Sequence, residues 1–156
     1  PRWWAGRRFA HAVEFFACNA TWSDVRDINQ AVLVGPPQRP EEWGTGLIPG
    51  NLIRKYIPNP HVKDGLMGVL VRHASGGVSD LQFKGYEQGY EAFRGRNKNG
   101  IWLDEECEED IYTECLMRTM TTHGIIYATF TPLQGRTKLI NSFLSQAVNR
   151  QALELA

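Results

Sequence analysis

The pattern of apolar and polar positions divides the chain into short strands and helices. "HAVEFFACNAT" is dense in β-branched and aromatic residues and predicts a strand. "TWSDVRDINQAVLVG" follows, with Val25, Ile28 and Val32 at helical spacing behind Thr21 or Ser23 as N-cap. "GPPQRPEEWGTGLIPG" has no period, and its prolines and glycines predict an irregular surface loop. "LIRKYIPNPHVKDG" is short and broken by Pro58 and Pro60. "LMGVLVRHA" and "VSDLQFKGY" are strand-like runs joined by Ser75-Gly76-Gly77. Glycine supplies the positive φ of a tight turn, so the two should be antiparallel neighbours. In "YEQGYEAFRG", Tyr86, Tyr90 and Phe93 fall on one helical face.

The second half changes character. "GIWLD" is a short apolar run suited to a strand buried on both faces, as in parallel sheets. A helix is expected over 110–121, with Ile111, Cys115 and Leu116 inward and Gly124 past its end. "GIIYATFTP" predicts a second buried strand, and "RTKLINSFLSQAVNRQALELA" a closing helix. Residues 101–131 thus read strand, helix, strand, which makes the two strands parallel with a right-handed crossover. The expected fold is α/β: a mixed, mainly parallel sheet with flanking helices in one domain.

Composition narrows the classes. With 156 residues, 42% hydrophobic and 22% charged, the chain is long enough for a sizeable core and ordinary for a globular protein. No apolar run approaches the ~20 residues of a membrane helix. Lys plus Arg equals Asp plus Glu at 17 each, which gives no case for nucleic-acid binding over the whole surface. Arg2, Arg7 and Arg8 nevertheless form a small local patch. Cys18, Cys107 and Cys115 lack the close pairing of zinc or redox motifs and read as buried free thiols. The four histidines lack ligand spacing, so no side-chain metal cage is expected. "PRWWAGRRFA" has no apolar segment of a secretory signal and reads as the interior of a longer protein.

The chemistry concentrates in "NGIWLDEECEEDIY". Ligands of parallel sheets sit at the carboxyl ends of the strands. Asp104 and Glu105 end one such strand, and Thr129-Phe130-Thr131-Pro132 end the next. An apolar run followed by Asp-Glu is the Walker B pattern of nucleotide hydrolases. There the Asp holds Mg²⁺, usually through water, and the Glu orients or deprotonates the attacking water. The plainer reading is that carboxylates after a strand favour the positive end of the next helix. Glu106, Glu108, Glu109 and Asp110 fit that plainer reading better than they fit catalysis.

Several stretches together resemble one family, the large terminase subunit, the ATPase that packages DNA in tailed bacteriophages. They are "WWAGRRF", "GTGLIP", "FKGYEQGYEAFRG", "IWLDEE" followed by "IYTECLMRT", and "YATFTPLQG", in the family's order between Trp3 and Gly135. The resemblance implies a P-loop NTPase-like ATPase domain of the additional-strand, catalytic-glutamate class, normally followed by a nuclease domain. It implies Walker B at 101–105 with Asp104 as the Mg²⁺-associated aspartate and Glu105 as the catalytic glutamate. It also implies a coupling motif at 129–135, with Thr131, Pro132 and Gly135 where hydrolysis is sensed. ATP and Mg²⁺ follow as cofactors. Double-stranded DNA, the portal protein, the small terminase subunit and a homo-oligomeric ring follow as partners, in the host bacterial cytoplasm.

The departures from the family pattern shape the expectation further. The phosphate-cradling G-x-x-x-x-G-K-[ST] does not occur in these residues, and "GTGLIPG" is followed by Asn51 rather than Lys, so that loop reads as structural. Cys107 stands where related sequences often carry proline. Residues 1–156 are therefore expected to be a partial ATPase domain lacking the Walker A strand-loop-helix and the nuclease domain, inactive by itself. Two alternatives remain open at this point: a non-catalytic assembly or DNA-contact module using Arg2, Arg7 and Arg8 with Trp3 and Trp4, or a fragment of another P-loop ATPase such as a helicase.

Overall fold

The computed structural model describes residues 9–131, 135 and 137–141. Its framework is a six-stranded sheet: β1 (Glu14–Asn19), β2 (Ile53–Pro58), β3 (Leu66–Arg72), β4 (Val78–Gly85), β5 (Gly100–Asp104) and β6 (Ile125–Thr129), in the order β2-β3-β4-β1-β5-β6. β4, β1, β5 and β6 are mutually parallel, while β3 is antiparallel to both β4 and β2. β3 alone runs against the rest. The mixed, mainly parallel sheet expected from the sequence is what forms, with β3 and β4 as the antiparallel hairpin around Gly76, whose φ is 87°.

Strand alternation gives the sheet two buried faces. Phe16, Cys18, Ile101 and Leu103 point to one face and pack with Phe93 and with Ile111, Tyr112 and Cys115 of α2 (Glu109–Met120). Ala17, Val69 and Phe83 point to the other, under Val25 and Val34. Burying each large side chain of this kind stabilises by about 1.5–3 kcal/mol, so both layers hold the strand ends in place. At Gly100 an added Cβ would lie 2.1 Å from the Phe15 ring, so only glycine lets β1 and β5 pair with that ring lying across.

The first helix, α1, departs from its expected register. It consists of α-helical Trp22–Asp24, π-helical Val25–Gln30 and α-helical Ala31–Leu33, with Thr21 as N-cap accepting from the Asp24 N–H at 3.2 Å. Helical spacing predicted Val25, Ile28 and Val32 inward. Val25 is buried, but Ile28 and Val32 are 42% and 43% exposed. The wider π turn rotates Asn29 and Gln30 into the interior instead. Gln30 is satisfied there: its Oε1 accepts the Leu66 N–H at 2.8 Å and its Nε2 donates to the Asp64 carbonyl at 3.0 Å.

The glycine-rich loop closes α1. The N–H groups of Gly44 and Gly46 donate to the Val34 carbonyl, Leu47 to Val32 and Ile48 to Leu33, at 2.6–3.1 Å. These carbonyls are the ones a helix end leaves without partners. Gly46 is required by close approach, since a Cβ there would lie 2.6 Å from the Leu33 carbonyl carbon. "GTGLIPG" thus caps the helix, a structural role in keeping with its missing Lys.

Four further expectations need correction. Leu116, expected inward on α2, is 38% exposed, while Glu114 and Thr119 are buried in its place. β6, expected to be buried, is only half-buried, because among the described residues it pairs with β5 alone. After α2 the left-handed position is taken by His123, not Gly124; Gly124 donates back to the Thr119 carbonyl at 2.9 Å. The region 86–93 forms two 3₁₀ turns, Tyr86–Gln88 and Tyr90–Phe93, rather than one helical face. Of the closing helix, residues 138–141 are helical and the remainder lies outside the described residues.

Candidate functional site

Parallel register brings four residues side by side at the carboxyl end of the sheet. Asn19 is the partner of Gly85, and Asp104 that of Thr129. The pairing of Cys18 with Leu103 makes Asn19 and Asp104 the next neighbours along β1 and β5. Alternation sends Asn19, Asp104 and Thr129 to the same face.

There the carboxylate of Asp104 is held from both sides. Its Oδ1 accepts from the Thr129 hydroxyl at 2.6 Å and its Oδ2 from the Asn19 amide at 3.0 Å. The Trp102 indole N–H donates to the Thr129 oxygen at 2.7 Å, which leaves the Thr129 proton to point at Asp104. Trp102 itself is fixed by stacking on Tyr127, with the ring centroids 5.9 Å apart. Asp104 is only half-buried, and each oxygen, accepting one hydrogen bond, retains a second lone pair. The carboxylate is an oriented hard-oxygen donor, which suits a divalent cation such as Mg²⁺.

Glu105 is held differently. Its backbone lies in the left-handed region at φ 66°, which a residue with a side chain adopts at a cost of about 1–2 kcal/mol. The Glu105 N–H donates to the Thr129 carbonyl at 2.9 Å. The Tyr86 hydroxyl donates to the carbonyls of Asp104 at 2.9 Å and Glu105 at 3.2 Å. Burial holds that hydroxyl well above the usual phenol range, so it stays a donor. This conformation breaks the strand's alternation and leaves the Glu105 side chain in solvent.

The other carboxylates separate from this pair. Glu106, assigned above to the helix start, instead accepts from the Thr137 hydroxyl. Glu108 is the N-cap of α2 without a side-chain cap bond, and Glu109 and Asp110 occupy its first turn, where the helix dipole favours them. Glu109 also pairs with Lys138 at 3.4 Å on the surface. Cys107 is buried against the core, where desolvation pushes its thiol up to about 12. The grooves beside α2, one of 640 Å³ lined by Tyr90, Arg94 and Met117 and one of 450 Å³ lined by Thr137 and Leu139, include neither Asp104 nor Glu105.

Thr131 follows two residues after the end of β6 and is exposed, and Gly135 has φ 77°. Pro132, Arg2, Arg7 and Arg8 lie outside the described residues. Asn19, Asn29 and Tyr86 were not singled out as site residues by the sequence, whereas Thr129 was placed at the strand end that opens the coupling motif. Asn19 and Asp104 are 85 positions apart, and only the strand order brings them together. A polar residue ending an apolar strand, as Asn19 ends β1, was the available signal.

Comparison with known proteins adds an independent line. The family model described as terminase large subunit, T4likevirus-type, N-terminal, matches residues 7–153. The large terminase subunit of Salmonella phage P22 is 33% identical over 153 residues, covering 95% of this chain and 31% of that protein. The chain therefore spans about a third of the length of that relative. No solved structure matches the chain.

Proposed function

Since the chain belongs to the large-subunit terminase family, we propose that it carries the Walker B and coupling half of an ATPase site that drives packaging of double-stranded DNA into a phage procapsid. One observation carries this reading: Asp104 is fastened at the end of β5 by Asn19 and Thr129, while the next residue, Glu105, is turned out into solvent on a left-handed backbone. Unusual backbone of this kind clusters at functional sites. A helix cap has no need of it.

In this reading the sheet belongs to the P-loop NTPase architecture, and ATP binds outside the carboxyl ends of β5 and β6. Asp104 would hold Mg²⁺, and the bound ion would neutralise charge on the phosphates. Glu105 orients the attacking water and takes its proton, the role a carboxylate base plays in hydrolysis. Thr129 touches Asp104 and opens the segment containing Thr131, Pro132 and Gly135. That link gives the coupling motif a direct contact with the metal-side carboxylate. The portal protein, the small terminase subunit and further copies of the chain in a ring are the partners this function requires, and the host cytoplasm is where it would act.

The test uses the complete gene product and nucleotide binding, with and without Mg²⁺. Asp104→Asn keeps the shape but removes the charge and replaces one acceptor oxygen by a donor, and should weaken Mg²⁺-dependent ATP affinity by about 10–100-fold. Glu105→Gln should bind as the parent does. Equal Mg²⁺ dependence in Asp104→Asn and the parent would remove the metal assignment.

A further inference from the structure

Two fully buried amides stand behind Asp104: Asn19, which grips its carboxylate, and Asn29, which touches Asn19 and not Asp104. Their orientation is determined by their partners. Asn19 Oδ1 accepts the Ala20 N–H at 2.8 Å, so its Nδ2 must face the opposite way. That nitrogen donates one hydrogen to Asp104 Oδ2 at 3.0 Å and the other to Asn29 Oδ1 at 3.2 Å. Asn29 Nδ2 in turn reaches the Cys18 carbonyl at 3.5 Å. Asn19 therefore has a partner for its oxygen and for both amide hydrogens.

Buried amides carry a desolvation cost that two apolar side chains of the same volume would avoid. What this pair accomplishes is to aim two N–H hydrogens, one of them at a single carboxylate oxygen. The π-helical stretch Val25–Gln30 is what makes it possible, because it turns Asn29 inward beside Gln30. The irregularity also places Ile28 on the surface. π turns inside α-helices occur frequently at functional sites.

We infer that Asn19 is a positioning residue for Asp104, and that Asn29, presented by the π turn of α1, fixes Asn19 in the orientation this requires. The inference rests on the metal-side reading of Asp104. The Asn19 amide donates at every accessible pH and holds one carboxylate oxygen, while Thr129 holds the other. The remaining lone pairs of Asp104 are thereby set before any ligand arrives, and α1, which is remote in sequence from β5, becomes part of the site.

The experiment measures affinity for a slowly hydrolysed ATP analogue with Mg²⁺ and with chelator, plus thermal unfolding, in the complete gene product. The variants are Asn19→Leu, Asn29→Leu, their double variant and Asp104→Asn. Partners that orient a metal's ligand are worth about 10–100-fold in metal affinity, so Asn19→Leu should lose that much of the Mg²⁺-dependent increment while binding in chelator stays unchanged. Asn29→Leu should lose less, and the double variant should match Asn19→Leu, because Asn29 acts only through Asn19. A folded Asn19→Leu with the parent's increment, or full additivity of the two substitutions, overturns the proposal. If Asn19→Leu does not fold, Asn19→Ser, which fits the same space, is judged by the same comparison. Asp104→Asn separates the two claims. If it keeps the increment, the metal-side reading and this inference fall together; if it loses the increment while folded Asn19 variants keep it, only the positioning role falls.

Discussion

At the scale of the residue, Glu105 carries opposing demands. Its left-handed backbone at φ 66° is unfavourable for any side chain, yet its neighbours hold it there through the Thr129 carbonyl and the Tyr86 hydroxyl. Glycine adopts this conformation without a Cβ clash. Glu105→Gly should therefore stabilise the protein by about 1 kcal/mol while removing the proposed base, and Glu105→Gln should remove the proposed base without stabilising. Denaturant unfolding of the two variants checks this. A Glu105→Gly variant less stable than the parent would show that the conformation is not strained. Asp104 is the complementary case: its backbone is ordinary strand, and its distinction lies in what grips the carboxylate. Asp104 and Glu105 were visible in the sequence because an apolar strand ending in Asp-Glu is a short-range pattern. Asn19 and Asn29 were not, because their roles depend on which strands become neighbours.

Among the elements, β5 follows its sequence pattern closely, and α1 does not. The difference has a physical cause. β5 is central in the sheet, so its apolar run GIWLD meets packing on both faces and no other placement buries it. α1 lies on the surface of the β1–β4 layer, where a single π stretch changes which side chains face inward without changing where the helix sits. Apolar spacing favoured Val25, Ile28 and Val32; buried hydrogen bonds by Asn29 and Gln30 prevailed. The end of α1 is fixed by the glycine-rich loop, whose N–H groups meet its last carbonyls. Gly46→Ala would press a methyl group against the Leu33 and Val34 backbone, which cannot yield as a flexible side chain would. Overpacking of this kind costs about 1–3 kcal/mol, so the variant's denaturation midpoint should fall with an unchanged m-value. A midpoint equal to the parent's would mean that the loop is not seated on the helix end.

For the whole molecule, both core layers and the site depend on one sheet, and global stability should respond to groups buried in it. Cys18, Cys107 and Cys115 are free and buried, and desolvation raises all three thiols. A raised folded value means that the unfolded chain releases its thiol protons first. Stability is then fully present below the ordinary thiol value of 9.0 and is lost as pH rises toward about 12, the value for Cys107. Each thiol contributes about 1.4 kcal/mol per pH unit in that window, so Cys107→Ala should flatten the alkaline decline of stability by that slope. An unchanged decline would mean that Cys107 is accessible to water in the folded state.

The central claim is that Asp104 and Glu105 perform phosphate chemistry while Glu108, Glu109 and Asp110 serve the helix. It is tested most directly by steady-state phosphate release from ATP in the complete gene product, for Glu105→Gln beside Glu108→Gln and Glu109→Gln. General-base catalysis contributes about 10²–10⁴-fold, so Glu105→Gln should lose turnover of that order, with the other two near the parent. Hydrolysis by Glu105→Gln at the parent's rate would contradict the account.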